Sequence, residues 1–397
     1  MVKTIMFIGA GKYQAEGIKK AKEMGLKVVA VDRDPDAPGF KIADIHAAVD
    51  VTDIQGCLRI AKENKVDGVL TIASDVAVPS VAAIAKQLGL PGISPEVAKA
   101  ATNKGVMRGK FFSFGVPSPK FQVVSSMEEA KYAIERLGLP CVMKPTDSSA
   151  SKGVTKITEV SQIEKSFDHA YKNSKEGRVL VEEFILGIEC TVEAMTYKGE
   201  TEILAISSKK KPESSYQVAT DLTYPPNFPR EKIDEIKRVV KLAIKSLGID
   251  FGPSHTEVMV SPSGVRLVET AARGGGFGIF SRIIPLVSGV DAITASIKMS
   301  LGETPDIKPK YERAAVLRFF APQEGILKEV KNLEEAKSVK DTELGLFKKV
   351  GDVIPPLATD GDRTGYVISW GETREEAIRK ADLVEKKVKF VIERARS

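Results

Sequence analysis

The sequence predicts an α/β protein that opens on a doubly wound parallel sheet and continues into an α+β region, on three observations. Apolar runs at residues 3–8, 26–31 and 68–72 alternate with helix-patterned segments over the first hundred residues. Residues 140–145 and 179–184 read as strands on either side of a polar, glycine-containing loop. Residues 255–260 and 265–269 read as two strands about the turn Ser261-Pro262-Ser263-Gly264, which should pair antiparallel.

In order along the chain, the run at residues 3–8 ends at Gly9-Ala10-Gly11, and residues 13–24 read as a helix stopped by Gly25. The strand at 26–31 ends at Asp32, and a helix over 53–64, a strand over 68–72 and a helix over 76–88 follow. Strands alternating with helices form parallel sheets through right-handed crossovers. Ligands bind such sheets beyond the carboxyl ends of the strands, here residues 9–12, 32–34 and Ser74-Asp75. The turn at Gly9 lacks the third glycine of the dinucleotide fingerprint, because Gln14 stands there, so no nicotinamide cofactor is expected. A turn that holds another small ligand and a plain tight turn both remain open.

Ser94-Pro95-Glu96 is a helix start, with Ser as N-cap and Pro at the first helical position. Gly115 ends a helix through Phe114, and Pro117 and Pro119 stiffen the segment after it. A helix over 126–137 and a long amphipathic helix over 231–247 are expected. After Pro305 the composition turns lysine-rich, with short strands and a last helix over 374–394 behind the capping box Thr373-Arg374-Glu375-Glu376. The units so marked are 1–100, 101–305 (with a small lobe at about 121–190) and 306–397.

With 397 residues the chain is long enough for several cores. Its longest apolar stretches are too short to span a bilayer, and its first residues run into a strand with no signal-peptide layout, so a cytoplasmic protein with no membrane partner is expected. Cys57, Cys141 and Cys190 are odd in number and far apart, which implies no disulfide framework. His46, His169 and His255 form no metal-type pair, so zinc is not expected. The charge of +6 is spread along the chain. It suits anionic small ligands and does not argue for nucleic acid.

Glu257 lies in one strand of the hairpin and Glu269 ends the other. Two paired strands can set two acids side by side, an expensive arrangement unless a cation lies between them. Mg²⁺ takes one or two carboxylates and completes its shell with waters and nucleotide phosphates. Two unrelated strand-end glutamates remain the alternative. Arg273-Gly274-Gly275-Gly276 comes at once after them: the glycines let backbone N–H groups approach an anion, and a guanidinium can stabilise a transferring phosphoryl group. Upstream, Lys144 ends a buried-looking strand, an odd place for a lysine without an anionic partner. The loop after it, residues 146–154, is rich in small hydroxyl residues but is not a P-loop. Glu182 and Glu183 end another apolar strand ahead of Gly187-Ile188-Glu189. Such a strand can offer adenine a backbone edge and a carboxylate, and Glu189 can hold ribose hydroxyls.

That order of motifs, over roughly residues 100–275, resembles the ATP-grasp superfamily, most closely its L-amino-acid (dipeptide) ligase branch; carbamoyl-phosphate synthase, biotin carboxylase and the formate- and bicarbonate-using purine ligases are more distant. The resemblance implies an N-terminal sheet domain, a central two-lobed ATP-grasp domain and a C-terminal α+β cap, in which residues 360–370 fit a strand segment of these enzymes. It implies ATP and Mg²⁺, with Mn²⁺ able to substitute. Lys104, after Thr102-Asn103, and Lys144 match the two nucleotide lysines, and residues 148–154, with Ser148, Ser149, Ser151 and Gly153, match the loop that closes on the phosphates. Glu182, Glu183, Phe184 and Ile185 fall at the adenine hinge, and Glu189 where ribose is held. Glu257 and Glu269 match the metal-binding glutamates, and Arg273 the arginine that steadies an acyl phosphate. His255 either orients the acyl acceptor or packs within its strand.

One departure is that Ala271 stands where many members have a metal-binding Asn, a replacement that the dipeptide-ligase branch shares. The implied activity is a carboxylate–amine ligase working through an acyl phosphate on small-molecule substrates, with a homodimer suggested by analogy. A bicarbonate- or formate-activating enzyme and a non-catalytic ATP-binding regulator are the competing expectations.

Overall fold

The computed structural model describes residues 2–148, 152–212 and 218–393. Its first elements are β1 (Thr4–Ile8), α1 (Lys12–Glu23), β2 (Lys27–Asp32), β3 (Ile45–Ala48), α2 (Ile54–Glu63), β4 (Gly68–Leu70) and α3 (Val78–Leu88). The four strands are parallel, in the order β3-β2-β1-β4. Both faces of β1 are covered: Ile5 and Phe7 share a core with Ile18 and Ala21 of α1, while Met6 and Ile8 meet Cys57 and Leu58 of α2 and Ile84 of α3. A strand buried on both sides has no polar face, which is why it reads as an unbroken apolar run.

α4 (Pro95–Thr102) and α5 (Lys104–Ser113) are separated by Asn103, whose side chain accepts from Val106 N and caps the second helix. Then come β5 (Phe121–Val124), α6 (Met127–Leu137), β6 (Cys141–Pro145), β7 (Thr155–Ile157), α7 (Ile163–Lys172) and β8 (Val179–Glu183). They form a small lobe whose antiparallel sheet, in the order β5-β8-β6-β7, packs one face on α6 and α7.

The rest comprises β9 (Ile188–Tyr197), β10 (Glu200–Lys210), β11 (Asp221–Tyr224), α8 (Arg230–Leu247), β12 (Phe251–Ser261), β13 (Gly264–Ala271), α9 (Ile284–Ser288), α10 (Ala292–Ser300), β14 (Ala314–Phe320), β15 (Gly325–Lys331), α11 (Leu333–Lys337), β16 (Thr342–Leu346), β17 (Val353–Ile354), β18 (Gly365–Gly371), α12 (Arg374–Lys387) and β19 (Lys389–Glu393). Eight of these strands make one antiparallel sheet in the order β13-β12-β9-β10-β11-β14-β18-β16. The chain after residue 305 is therefore not a separate layer: β14, β16 and β18 extend the central sheet, and only β15, β17 and β19 form a small sheet of their own. β9 likewise belongs to the central sheet, so the small lobe's last strand, β8, ends at Glu183. Burial along β12 alternates strictly, with Thr256, Val258 and Val260 buried. Val258 and Val260 pack on Ile236, Val240 and Ile244 of α8. His255, Glu257 and Met259 consequently project from the opposite face. No single described helix is long and apolar enough to cross a membrane.

Candidate active site

The cleft face of β9, β10, β12 and β13 gathers most of the chemistry. Glu257 and Glu269 are direct partners across β12 and β13. A bulge makes this so: Val258 pairs with Leu267, leaving Val268 as an extra residue before Glu269. Val265 and Leu267 face α8, and an unbroken alternation would send Glu269 the same way. The extra residue reverses the parity, so Glu269 joins Glu257 on the cleft face while Thr270 bonds Thr256 on the other.

Each of the two carboxylates has its own ammonium partner. Lys104 Nζ lies 3.0 Å from Glu269 Oε1 and also donates to the Ser148 carbonyl at 2.7 Å. Lys104 opens α5, where the helix dipole disfavours a cation, so its anionic partner carries the stabilisation. Lys209 Nζ lies 2.5 Å from Glu257 Oε1 and 2.5 Å from Glu189 Oε1. Lys211 also pairs with Glu189. Burial alone would raise the Glu257 pKa, but Lys209 holds it well below the usual carboxylate range. Burial works against the Lys209 ammonium too, and Glu189 and Glu257 prevail and raise its pKa.

Across the cleft, Lys144 Nζ meets Glu182 Oε1 at 2.5 Å. Arg108 donates to Glu182 Oε2 through Nε at 3.0 Å and through a terminal nitrogen at 2.8 Å, and reaches the carbonyl of the bulge residue Val268 at 2.6 Å. Arg108 is 1% exposed and Glu182 4%. Burial pushes the Glu182 pKa up, and Arg108 and Lys144 together bring it below its ordinary value. Glu183 points the other way, as alternation along β8 requires: its carboxylate accepts from Lys120 N at 3.3 Å. Phe184 carries Lys156 Nζ 3.9 Å above its ring, and Ile185 is half-buried. Gly153 has φ +75°, in the left-handed region that favours glycine, and a side chain there would collide with Pro145. Ser148 Oγ donates to the Lys152 carbonyl, while Ser149 and Ser151 lie outside the described residues.

Arg273 spans two units. Its Nε and one terminal nitrogen donate to Asp75 at 3.0 and 2.8 Å, and the other donates to the Gly274 carbonyl. Desolvation opposes the Asp75 charge, but Arg273 lowers its pKa on balance. His255 Nδ1 is paired with Glu193, a 1% exposed carboxylate that also accepts from Gly275 N at 3.1 Å. Across the strands from His255 is Ala271, whose methyl group offers a cation no ligand. Gly274 N donates to the Ile72 carbonyl, and a Cβ at 274 would overlap the Phe280 ring. Gly274→Ala is therefore expected to cost about 1–3 kcal/mol by overpacking. The shift of the urea unfolding midpoint measures this.

Glu193, Lys209, Lys211 and Arg108 escaped the motif reading. Glu193 carried a usable signal, an acid within the apolar stretch of β9, where only a partnered carboxylate is tolerated. Lys209 is hidden among Lys209-Lys210-Lys211, and Arg108 looks like any basic helix residue.

The residues fit a divalent cation between Glu257 and Glu269: two facing carboxylates form a hard-oxygen half-shell that phosphate and water oxygens can complete.

Known families match along much of the chain: an ATP-grasp N-terminal domain over residues 18–92, an ATP-grasp domain over 137–280 and an L-amino acid ligase C-terminal domain 2 over 318–393. An uncharacterized protein, y4rH, of Sinorhizobium fredii is 26% identical over 294 residues, 72% of this chain and 60% of that protein. The formate-dependent phosphoribosylglycinamide formyltransferase of Methanococcus maripaludis is 28% identical over 396 residues, 96% of this chain and 97% of that protein. The L-amino acid ligase from Bacillus licheniformis superposes with a TM-score of 0.86 at 21% identity, covering 98% of this chain and 99% of that one. The fold is thus the ATP-grasp fold from end to end, with the ATP-grasp domain itself matched at residues 137–280.

Proposed function

We propose that this protein is an ATP-dependent ligase that activates a small-molecule carboxylate as an acyl phosphate and transfers the acyl group to an amine. The observation that carries the reading is Lys104, which links the backbone of the phosphate-loop residue Ser148 to Glu269, itself the direct partner of Glu257. One side chain thereby ties the loop expected over the phosphates to the carboxylates expected to hold the metal.

Lys104 and Lys144 bind the phosphates of ATP, and Glu182 holds Lys144 in place. Glu257 and Glu269 would hold Mg²⁺, or Mn²⁺ in its place, which neutralises charge on the phosphate oxygens. The substrate carboxylate oxygen attacks the γ-phosphorus and the bond to the ADP oxygen breaks. Positioning and charge neutralisation supply most of the rate. The amine then attacks the acyl carbon, the C–O bond to phosphate breaks, and amide and phosphate leave once the amine proton is lost. Arg273 steadies the acyl phosphate, exchanging part of its fork to Asp75 for phosphate oxygens. His255, oriented by Glu193, faces the cleft where the acyl acceptor would lie. An amino acid as carboxylate is supported by the L-amino acid ligase C-terminal match.

A second reading, formate as the acid, draws on the formyltransferase relative that matches nearly the whole chain. ADP and phosphate release from Mg-ATP, measured against amino acids, other carboxylic acids, formate and bicarbonate with and without amines, tests both. Release that needs an acid and an amine together is the expected outcome. Release with formate or bicarbonate alone among the acids supports the second reading. ATP binding without release under any pair would leave a nucleotide-binding regulator and overturn the ligase.

A further inference from the structure

Glu257 and Glu269 are neutralised in different ways. Lys104 is anchored by the Ser148 carbonyl as well as by Glu269. The other contacts of Lys209 are to acids: it bridges Glu257 and Glu189. Its side chain is 11% exposed against 29% for Glu257, so the ammonium lies behind the carboxylate and the carboxylate opens on the cleft.

A divalent ion at Glu257 would meet the Lys209 ammonium across one partly desolvated carboxylate. Like charges a few ångströms apart in such a setting repel strongly. The ammonium must then give up Glu257, which leaves it with Glu189, a carboxylate already shared with Lys211. Metal arriving alone brings no anion to replace the lost partner. Metal arriving with a nucleotide brings several phosphate oxygens.

We propose that Lys209 is a stand-in cation of this site: it holds Glu257 until the metal–nucleotide complex binds, then pairs with the terminal phosphate oxygens, so that metal and nucleotide enter together. The role rests on the proposed ATP binding and adds to it a residue and an order of binding. Lys209 is thus a phosphate-binding residue that also holds metal affinity down while the nucleotide is absent.

Mn²⁺ titration of the full chain, with and without a non-hydrolysable ATP analogue, tests this independently of turnover. In the unsubstituted protein the analogue should strengthen Mn²⁺ binding by about 5- to 150-fold, the usual size of coupling between sites. Lys209→Met should tighten nucleotide-free Mn²⁺ binding about tenfold, shrink the coupling by the same factor and weaken the analogue. Lys209→Arg, which keeps the charge, should keep nucleotide-free Mn²⁺ binding as weak as in the unsubstituted protein. If Lys209→Met fails to fold, the double replacement Lys209→Met with Glu189→Gln removes one charge of each sign and should show the same gain in Mn²⁺ affinity. Unchanged or weaker Mn²⁺ binding in the neutral variants, with analogue binding still measurable, overturns the role of Lys209 alone. An analogue that binds none of the proteins overturns the ATP-binding reading and this inference with it.

Discussion

Glu269→Gln is expected to lower substrate-dependent ADP release about a thousandfold at saturating magnesium, with ATP-analogue affinity changed only a few-fold. Charge neutralisation by a metal contributes several kcal/mol at the transition state, and each 1.36 kcal/mol is a factor of ten. The amide keeps the size of the side chain and removes the charge that faces Glu257 and Lys104. Lys104 keeps its bond to the Ser148 carbonyl and its own charge, so the nucleotide still finds a cation. The split between binding and turnover is what marks a metal carboxylate: a merely structural glutamate would lose stability and binding together. Full ADP release by the variant would show that Glu269 holds no metal.

Arg108→Met has the largest expected effect on stability, a loss of about 3–5 kcal/mol, because removing one partner of a buried pair strands the other. Glu182 would keep Lys144 but lose both guanidinium bonds, and the bulge carbonyl of Val268 would lose its donor. The urea unfolding midpoint reports the loss. Its pH dependence has a definite sign. Glu182 titrates below its ordinary value in the folded chain, so its pairing stabilises at pH above the unfolded value and is lost as pH falls through the folded one. The gap between the two proteins should therefore be widest near neutrality and narrow below about pH 4, where an ordinary glutamate takes up its proton. A gap that stays constant to low pH would mean that Arg108 stabilises by packing rather than by its pair with Glu182.

Much of this arrangement could be read along the chain because its causes are local. β1, β2 and β4 announce themselves as apolar runs since helices cover both sides. The edge strand β3, with every second residue exposed, shows no such run and is not expected from the sequence. α8 shows its period because one face packs on β12 and β13. Lys144 was conspicuous at the end of a buried strand, and its partner proves to be Glu182. Pairings between distant segments left no such mark. Arg273 and Asp75 are 198 positions apart, and neither has a neighbour in sequence that foretells the other. Nor does composition after residue 305 reveal that β14, β16 and β18 extend the central sheet, since edge pairing is made by backbone groups that every residue carries.

By itself, the sequence determined the alternation of the first sheet, the hairpin about Pro262 and Ser263, and the order in which Lys104, Lys144, Glu182, Glu257, Glu269 and Arg273 arrive. Whether the two hairpin glutamates share a face was settled only in three dimensions. An unbroken β13 would turn Glu269 toward α8, and one unpaired residue, Val268, turns it to the cleft. The bulge depends on how β13 registers with β12 and on Arg108 reaching its carbonyl from another helix. Lys209 and Glu193 are likewise defined by what lies across the sheet from them, Glu257 and Glu189 for the one and His255 for the other. A strand's own residues set its period, but the register of its neighbour decides which side chains meet.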